Sequence, residues 1–157
     1  MRLRSGNVRI DQVNYDHADA AKLIAEVQQE YVQRYGGEDD TPVDPAEFAP
    51  PRGLFLVAYD GDDAPVACGG WRAHGADAEV KRMYVTPRAR GAGRARQVLA
   101  ELERTALAAG HERMILETGS RQPEAVSLYQ SAGYEAIAPF GYYAGRSLAI
   151  HLGKSLG

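Results

Sequence analysis

The stretch Met83-Tyr84-Val85-Thr86-Pro87-Arg88-Ala89-Arg90-Gly91-Ala92-Gly93-Arg94-Ala95 decides the fold. Upstream, residues 78–85 have the apolar content and length of a strand, and Pro87 ends it. Small residues at 91, 92, 93 and 95 then let the backbone turn tightly. A helix is predicted over 93–109, with Val98, Leu99, Leu102, Ala106 and Leu107 as its buried face and Gly110 as its stop. Its first turn offers N–H groups that have no intrahelical partner, at the positive end of the macrodipole. A phosphorylated ligand suits such a cradle, and Arg90 and Arg94 add formal positive charge beside it. The plainer reading is a glycine turn that only starts a helix.

Two familiar phosphate loops fit poorly. A nucleoside-triphosphate loop needs Gly-Lys followed by Ser or Thr, whereas Gly93 is followed by Arg94-Ala95. A dinucleotide fingerprint needs three glycines and an acid about 20 residues on, at the end of the next strand. Only two glycines are in place, and Glu112 falls at that strand's start.

Working outward, Val8 to Val13 alternates as a strand. Residues 16–35 have helical spacing through Ala20, Leu23, Ile24, Val27 and Tyr31, with Asp16 or Asp19 as caps and Gly36-Gly37 as the end. The acidic stretch 38–53 reads as a loop holding a short helical turn. Residues 54–59 and 65–72 form a hairpin around Asp60-Gly61-Asp62-Asp63. After the glycine-led helix come a strand at 113–118, a helix at 123–132 stopped by Gly133, and late strands near 134–137 and 146–153. Antiparallel strands followed by a strand–helix–strand crossover give an α/β (α+β) class with a mixed sheet and a single domain over 1–157.

The net charge of −3 gives no electrostatic case for nucleic acid or an anionic membrane. No apolar run approaches the ~20 residues of a membrane helix, and the polar start does not resemble a signal peptide, so a soluble, cytoplasmic protein is expected. The single cysteine, Cys68, allows no internal disulfide and lies in a strand-like apolar run. His17, His74, His111 and His151 are too dispersed for a metal site, and none is expected.

Residues 78–99 closely resemble the acetyl-coenzyme A motif of the GNAT superfamily of N-acetyltransferases: a strand, a Pro-containing link, then Arg/Gln-x-x-Gly-x-Gly/Ala opening a helix. Two registers match, Arg88…Gly91…Gly93 and Arg90…Gly93…Ala95. The second is preferred, because Val85, Pro87, Arg90 and Gly91 meet the family's Val-x-Pro-x-x-Arg-Gly spacing. Ala125-x-x-Leu128-Tyr129-x-x-x-Gly133-Tyr134 is similar to a second family segment, and the strict resemblance covers about residues 54–136. It implies a twisted, mostly antiparallel sheet of about six to seven strands flanked by about four helices. It also implies acetyl-coenzyme A as co-substrate.

The resemblance further assigns roles. The backbone of Met83, Tyr84 and Val85 would hold the thioester and pantetheine arm, and Arg90, Gly91, Ala92, Gly93, Arg94 and Ala95 the diphosphate. Gln122, standing where the family often has Asn, and Ala125 would complete the coenzyme site. Tyr129 would protonate the departing thiolate; the competing role is packing against the sheet. Glu79, at the start of the motif strand, is the candidate base, with Glu117 its rival and a water chain the third choice. The acceptor, a primary amine of a small molecule or peptide, would lie among Tyr31, Tyr35, Trp71, Glu117, Phe140 and Tyr142. Trp71 reads equally as core. Arg34 or Arg72 is the candidate for a substrate carboxylate, Arg121 for phosphate, and the acids Glu38, Asp39, Asp40, Asp44 and Glu47 for attracting an amine. A homodimer is expected by analogy. A coenzyme A-binding module without turnover and a transferase for another acyl group or acceptor oxygen are the alternatives.

Overall fold

A computed structural model describes residues 2–5 and 8–157, with side chains from residue 8 onward. Its strands are β1 (Arg2–Ser5), β2 (Val8–Val13), β3 (Gly53–Tyr59), β4 (Pro65–His74), β5 (Asp77–Val85), β6 (Arg113–Gly119), β7 (Glu135–Ala136) and β8 (Ala149–Ser155). They form one sheet in the order β1-β2-β3-β4-β5-β6-β8-β7, antiparallel throughout except for β5 beside β6. The mixed sheet is the expected one, with β1 added at its edge and the strand expected near 134–137 reduced to the two residues of β7. Three α-helices flank it: α1 (Ala18–Tyr35), α2 (Arg94–Ala108) and α3 (Pro123–Ser131). In place of a fourth helix there are short 3₁₀ turns at Pro45–Phe48 and Pro87–Ala89.

Each face of the sheet has its own core. Val98, Leu99, Leu102 and Ala106 of α2 pack with Tyr129 of α3 on the face presented by Leu54, Leu56, Val80 and Met114. On the other face, Ala20, Leu23 and Val27 of α1 join Phe48, Phe55, Val57 and Tyr84. The α1 cap is His17, whose Nδ1 accepts the Asp19 amide, rather than either aspartate. Asp19 instead accepts the Tyr59 hydroxyl at 2.7 Å, which ties the helix start to β3. Gly36, at φ 81°, ends the helix as expected.

The sheet is interrupted where β5 bulges. Cys68 faces Tyr84 and Gly70 faces Lys81, so Arg82 and Met83 together oppose Gly69. Arg82 takes φ 62°, which costs about 1–2 kcal/mol for a residue with a side chain. A Cβ at Gly69 would collide with Met83 Sδ, so glycine leaves room for the bulged strand. β5 pairs with β6 only at Ala78–Met114 and Glu79–Ile115, although both strands run on. Beyond those pairs the strands part and leave a cleft through the middle of the sheet. Among the described residues no helix is long and apolar enough to cross a membrane.

Candidate active site

The parted strands enclose a cleft of about 530 Å³. Residues 80–83 of β5 form one wall and 116–119 of β6 the other. Tyr31 and Tyr35 of α1, Gln122 at the N-cap of α3, and Ala125 and Tyr129 within that helix also line it. The loop before β8 supplies Tyr143 and Arg146. Of the residues expected from sequence, Met83, Gln122, Ala125, Tyr129, Tyr31, Tyr35 and Glu117 come together here.

Other expected residues lie elsewhere. Trp71 is buried under α2, with its indole N–H donated to Thr105 Oγ1 at 3.0 Å, so it is a core residue and not a pocket wall. Tyr84 turns its ring to the α1 face and donates to Glu26 at 3.2 Å, so its side chain does not line the cleft. Val85 packs in the α2-side core. Phe140 stands edge-on between His74 and His151, outside the cleft, and Tyr142 borders a second cavity.

The cradle lies at the head of α2. Gly93 is its N-cap at φ 78° and Gly91 has φ 87°, conformations that favour glycine. No side chain caps the helix, which leaves its first amides available to an anion. Arg94 leans on Gln97 at 3.2 Å. Arg90 is engaged with α1: it donates to Val85 O at 2.9 Å and pairs with Glu30 at 2.7 Å. The other candidate arginines are also committed. Arg34 and Arg121 each donate to the other's carbonyl at 3.0 Å, and Arg34 pairs with Glu124. The Tyr35 hydroxyl meets Gln122 Oε1 at 3.2 Å, so α1 and α3 are joined across the cleft.

Around Asp39 and Arg72 the buried charges pair off. Asp39 accepts Lys81 at 3.0 Å and Arg82 at 2.5 Å, and takes the Thr41 hydroxyl at 2.6 Å. Lys81 and Arg82 are buried, and together they hold the Asp39 carboxyl well below the usual carboxylate range despite its own burial. Arg72 bridges Glu47 at 3.1 Å and Glu79 at 3.0 Å. Three cations thus meet three carboxylates, and Glu79, the expected base, is spent on Arg72. Glu117 has no hydrogen-bond or ion-pair partner among the described residues. Burial pushes its carboxyl up to about 7, against the pull of Lys81.

Tyr129 is 6% exposed and stands edge-on to Tyr134 at 5.7 Å. The residue lines the cleft, and its hydroxyl makes no hydrogen bond among the described residues and is kept protonated by burial. Neither the Asp39 clasp nor the place of Arg146 has a local sign in the sequence, because both arise from loops meeting strands distant along the chain. No group of His, Cys, Asp and Glu among the described residues is arranged to hold a metal ion.

A sheet split beside an uncapped, glycine-led helix is the architecture of an acyl-coenzyme A-dependent transferase. The profile of the Acetyltransferase (GNAT) family matches residues 21–134, and the chain belongs to that family. An IAA acetyltransferase of Azospirillum brasilense is 35% identical over 137 residues, spanning 86% of this chain and 89% of that protein. An uncharacterized N-acetyltransferase of Schizosaccharomyces pombe is 31% identical over 148 residues, spanning 88% and 89%. Among solved structures, one described as an acyl-CoA N-acyltransferase from Klebsiella pneumoniae superposes with TM-score 0.80 at 26% identity, over 94% of this chain and 97% of that one. The protein is therefore an acyl-transferring enzyme of the N-acetyltransferase type, and its family uses acetyl-coenzyme A.

Proposed function

We propose that the enzyme moves the acetyl group of acetyl-coenzyme A to a primary amine of a small molecule or peptide, with Glu117 as general base and Tyr129 as general acid. The observation that carries this reading is charge balance: among the described residues Glu117 is the one half-buried carboxyl lining the cleft without a counter-ion, Glu38 and Asp40 being exposed, and it lines the same cleft as Tyr129.

An amine enters as an ammonium and is inert until it loses a proton. A carboxylate whose pKa lies near 7 is suited to take it, since it is ionised enough to accept and weak enough to let go. The ammonium also supplies the positive charge that ionised Glu117 lacks. Met83 and its neighbours on the bulged strand offer main-chain groups that β6 does not use, available to the pantetheine arm and the thioester oxygen. The uncapped head of α2 suits the diphosphate. Tyr129, held as a phenol, donates to the departing sulfur. Glu79 keeps Arg72 in place and does not touch the amine.

The test compares Glu117→Gln, Glu79→Gln and Tyr129→Phe by free-thiol release over an amine panel. Glu117→Gln and Tyr129→Phe are each expected to lower kcat by roughly 10²–10⁴-fold. Glu79→Gln should cost far less in kcat. The opposite ranking of the two glutamates would return the base role to Glu79.

A further inference from the structure

Three cations line the cleft, and among the described residues one of them is unspent. Lys81 and Arg82 are both given to Asp39, at 3.0 and 2.5 Å. Arg146, in the loop before β8, is exposed, and its side chain has no ion pair or hydrogen bond among the described residues. The other loop at the opening, the one after α1, carries Glu38 and Asp40. Both are exposed, and neither has an ion pair among the described residues.

The arginine's side chain is free, but its backbone is held. Gly145, just before it, turns at φ 83°, a conformation that favours glycine. The Arg146 amide donates to Tyr143 O at 3.0 Å, and its carbonyl accepts the Ala149 amide at 3.2 Å. Leu148 O takes the Ser120 amide at 2.9 Å, which pins the loop to the end of β6. Tyr143 reaches across to the loop after α1, where its hydroxyl accepts the Asp40 amide at 2.7 Å. A loop with an unspent cation and a loop with unspent acids are thus tied together at one opening. Gly119 pairs with Ala149 and Glu117 with His151, so Glu117 lies only two residues along β6 from the place where the arginine's turn is pinned.

We infer that the acceptor carries a carboxylate as well as its amine, as a free amino acid does, and that Arg146 binds that carboxylate. The inference rests on the proposed amine acetylation and narrows its substrate. A guanidinium meets a carboxylate through two parallel N–H···O bonds, which fix direction as well as charge. Ser147, beside it in the cleft wall, has a hydroxyl to add. The ammonium end then faces Glu117 and the acids of the other loop, so one zwitterion answers both kinds of unspent charge. The coenzyme's phosphates are the other anions that an arginine could hold. Residues 90–95, proposed for the diphosphate, do not line this cleft, which assigns the two anions to different places.

The test measures thiol release with the standard amino acids, each set against its own carboxamide, which keeps the amine and removes the carboxylate charge. The carboxamide's amine is also less basic, so the preference is read as a ratio between native enzyme and Arg146→Gln. In Arg146→Gln the ratio of kcat/KM for the acid to that for the carboxamide should fall at least about tenfold, mainly through the acceptor's KM. Arg146→Lys, which keeps the charge without the fork, should lose less. An unchanged ratio would overturn the inference, and a raised KM for acetyl-coenzyme A alone would overturn it by giving the arginine to the coenzyme's phosphates. Thiol release with no change in that ratio sinks the inference by itself. No thiol release from either set would take the amine-transfer reading down with it, so the two failures are told apart.

Discussion

At the residue scale, the role proposed for Glu117 and the stability of the fold pull in opposite directions. Its carboxyl is held up to about 7 by burial, so between its ordinary range and about pH 7 the folded protein keeps a proton that the unfolded chain has lost. Stability contributed by the protonated form is therefore lost as pH rises through that window. Glutamine at 117 removes the penalty. At pH 8 the Glu117→Gln variant should melt roughly 2–4 °C above the native protein, about 1 kcal/mol after allowance for partial exposure, and at pH 4 the two should coincide. An equal difference at both pH values would mean that Glu117 does not titrate as described. Which of two glutamates stays free was not written in the sequence. Glu79 and Glu117 are both strand residues near the cleft, and the choice turns on Arg72, which reaches Glu79 across the β4–β5 pair. Trp71 was ambiguous for a related reason: periodicity places an aromatic on a strand but does not say which face the core will claim.

At the scale of elements, local chemistry was legible and tertiary chemistry was not. The α2 and α3 helices, their glycine stops and the β3–β4 hairpin follow from periodicity and turn residues within a few positions of one another. The glycine-led turn into α2 was legible for the same reason, since glycines and a helix start are local features. The bulge was not. A positive φ at Arg82 contradicts local preference, and it is held by partners from elsewhere, Asp39 from the loop after α1 and Tyr15 from the loop before it. The Asp39 clasp therefore fixes both the loop after α1 and the shape of the bulged β5. Asp39→Asn would leave two buried cations sharing no carboxylate, at a cost of about 3–5 kcal/mol. Thermal unfolding should show a Tm lower by roughly 10 °C, and a change of only 1–2 °C would show that the clasp is not holding the bulge.

At the scale of the whole molecule, the sheet performs two tasks by coming apart in one place. Pairing at the start of β5 and β6 holds the sheet together, and the gap beyond it brings residues of α1, β5, β6, α3 and the loop before β8 to one opening. The helices are joined across that opening by Tyr35–Gln122 and the reciprocal Arg34–Arg121 bonds, so the cleft is shaped before any substrate arrives. The pH dependence of kcat/KM for an amine, measured by thiol release in the native enzyme and in Glu117→Gln, tests this account most directly. The native profile should rise with pH and bend near 7, where Glu117 gives up its proton, and Glu117→Gln should lose that bend along with most of its rate. A bend that persists unchanged in Glu117→Gln would contradict the account.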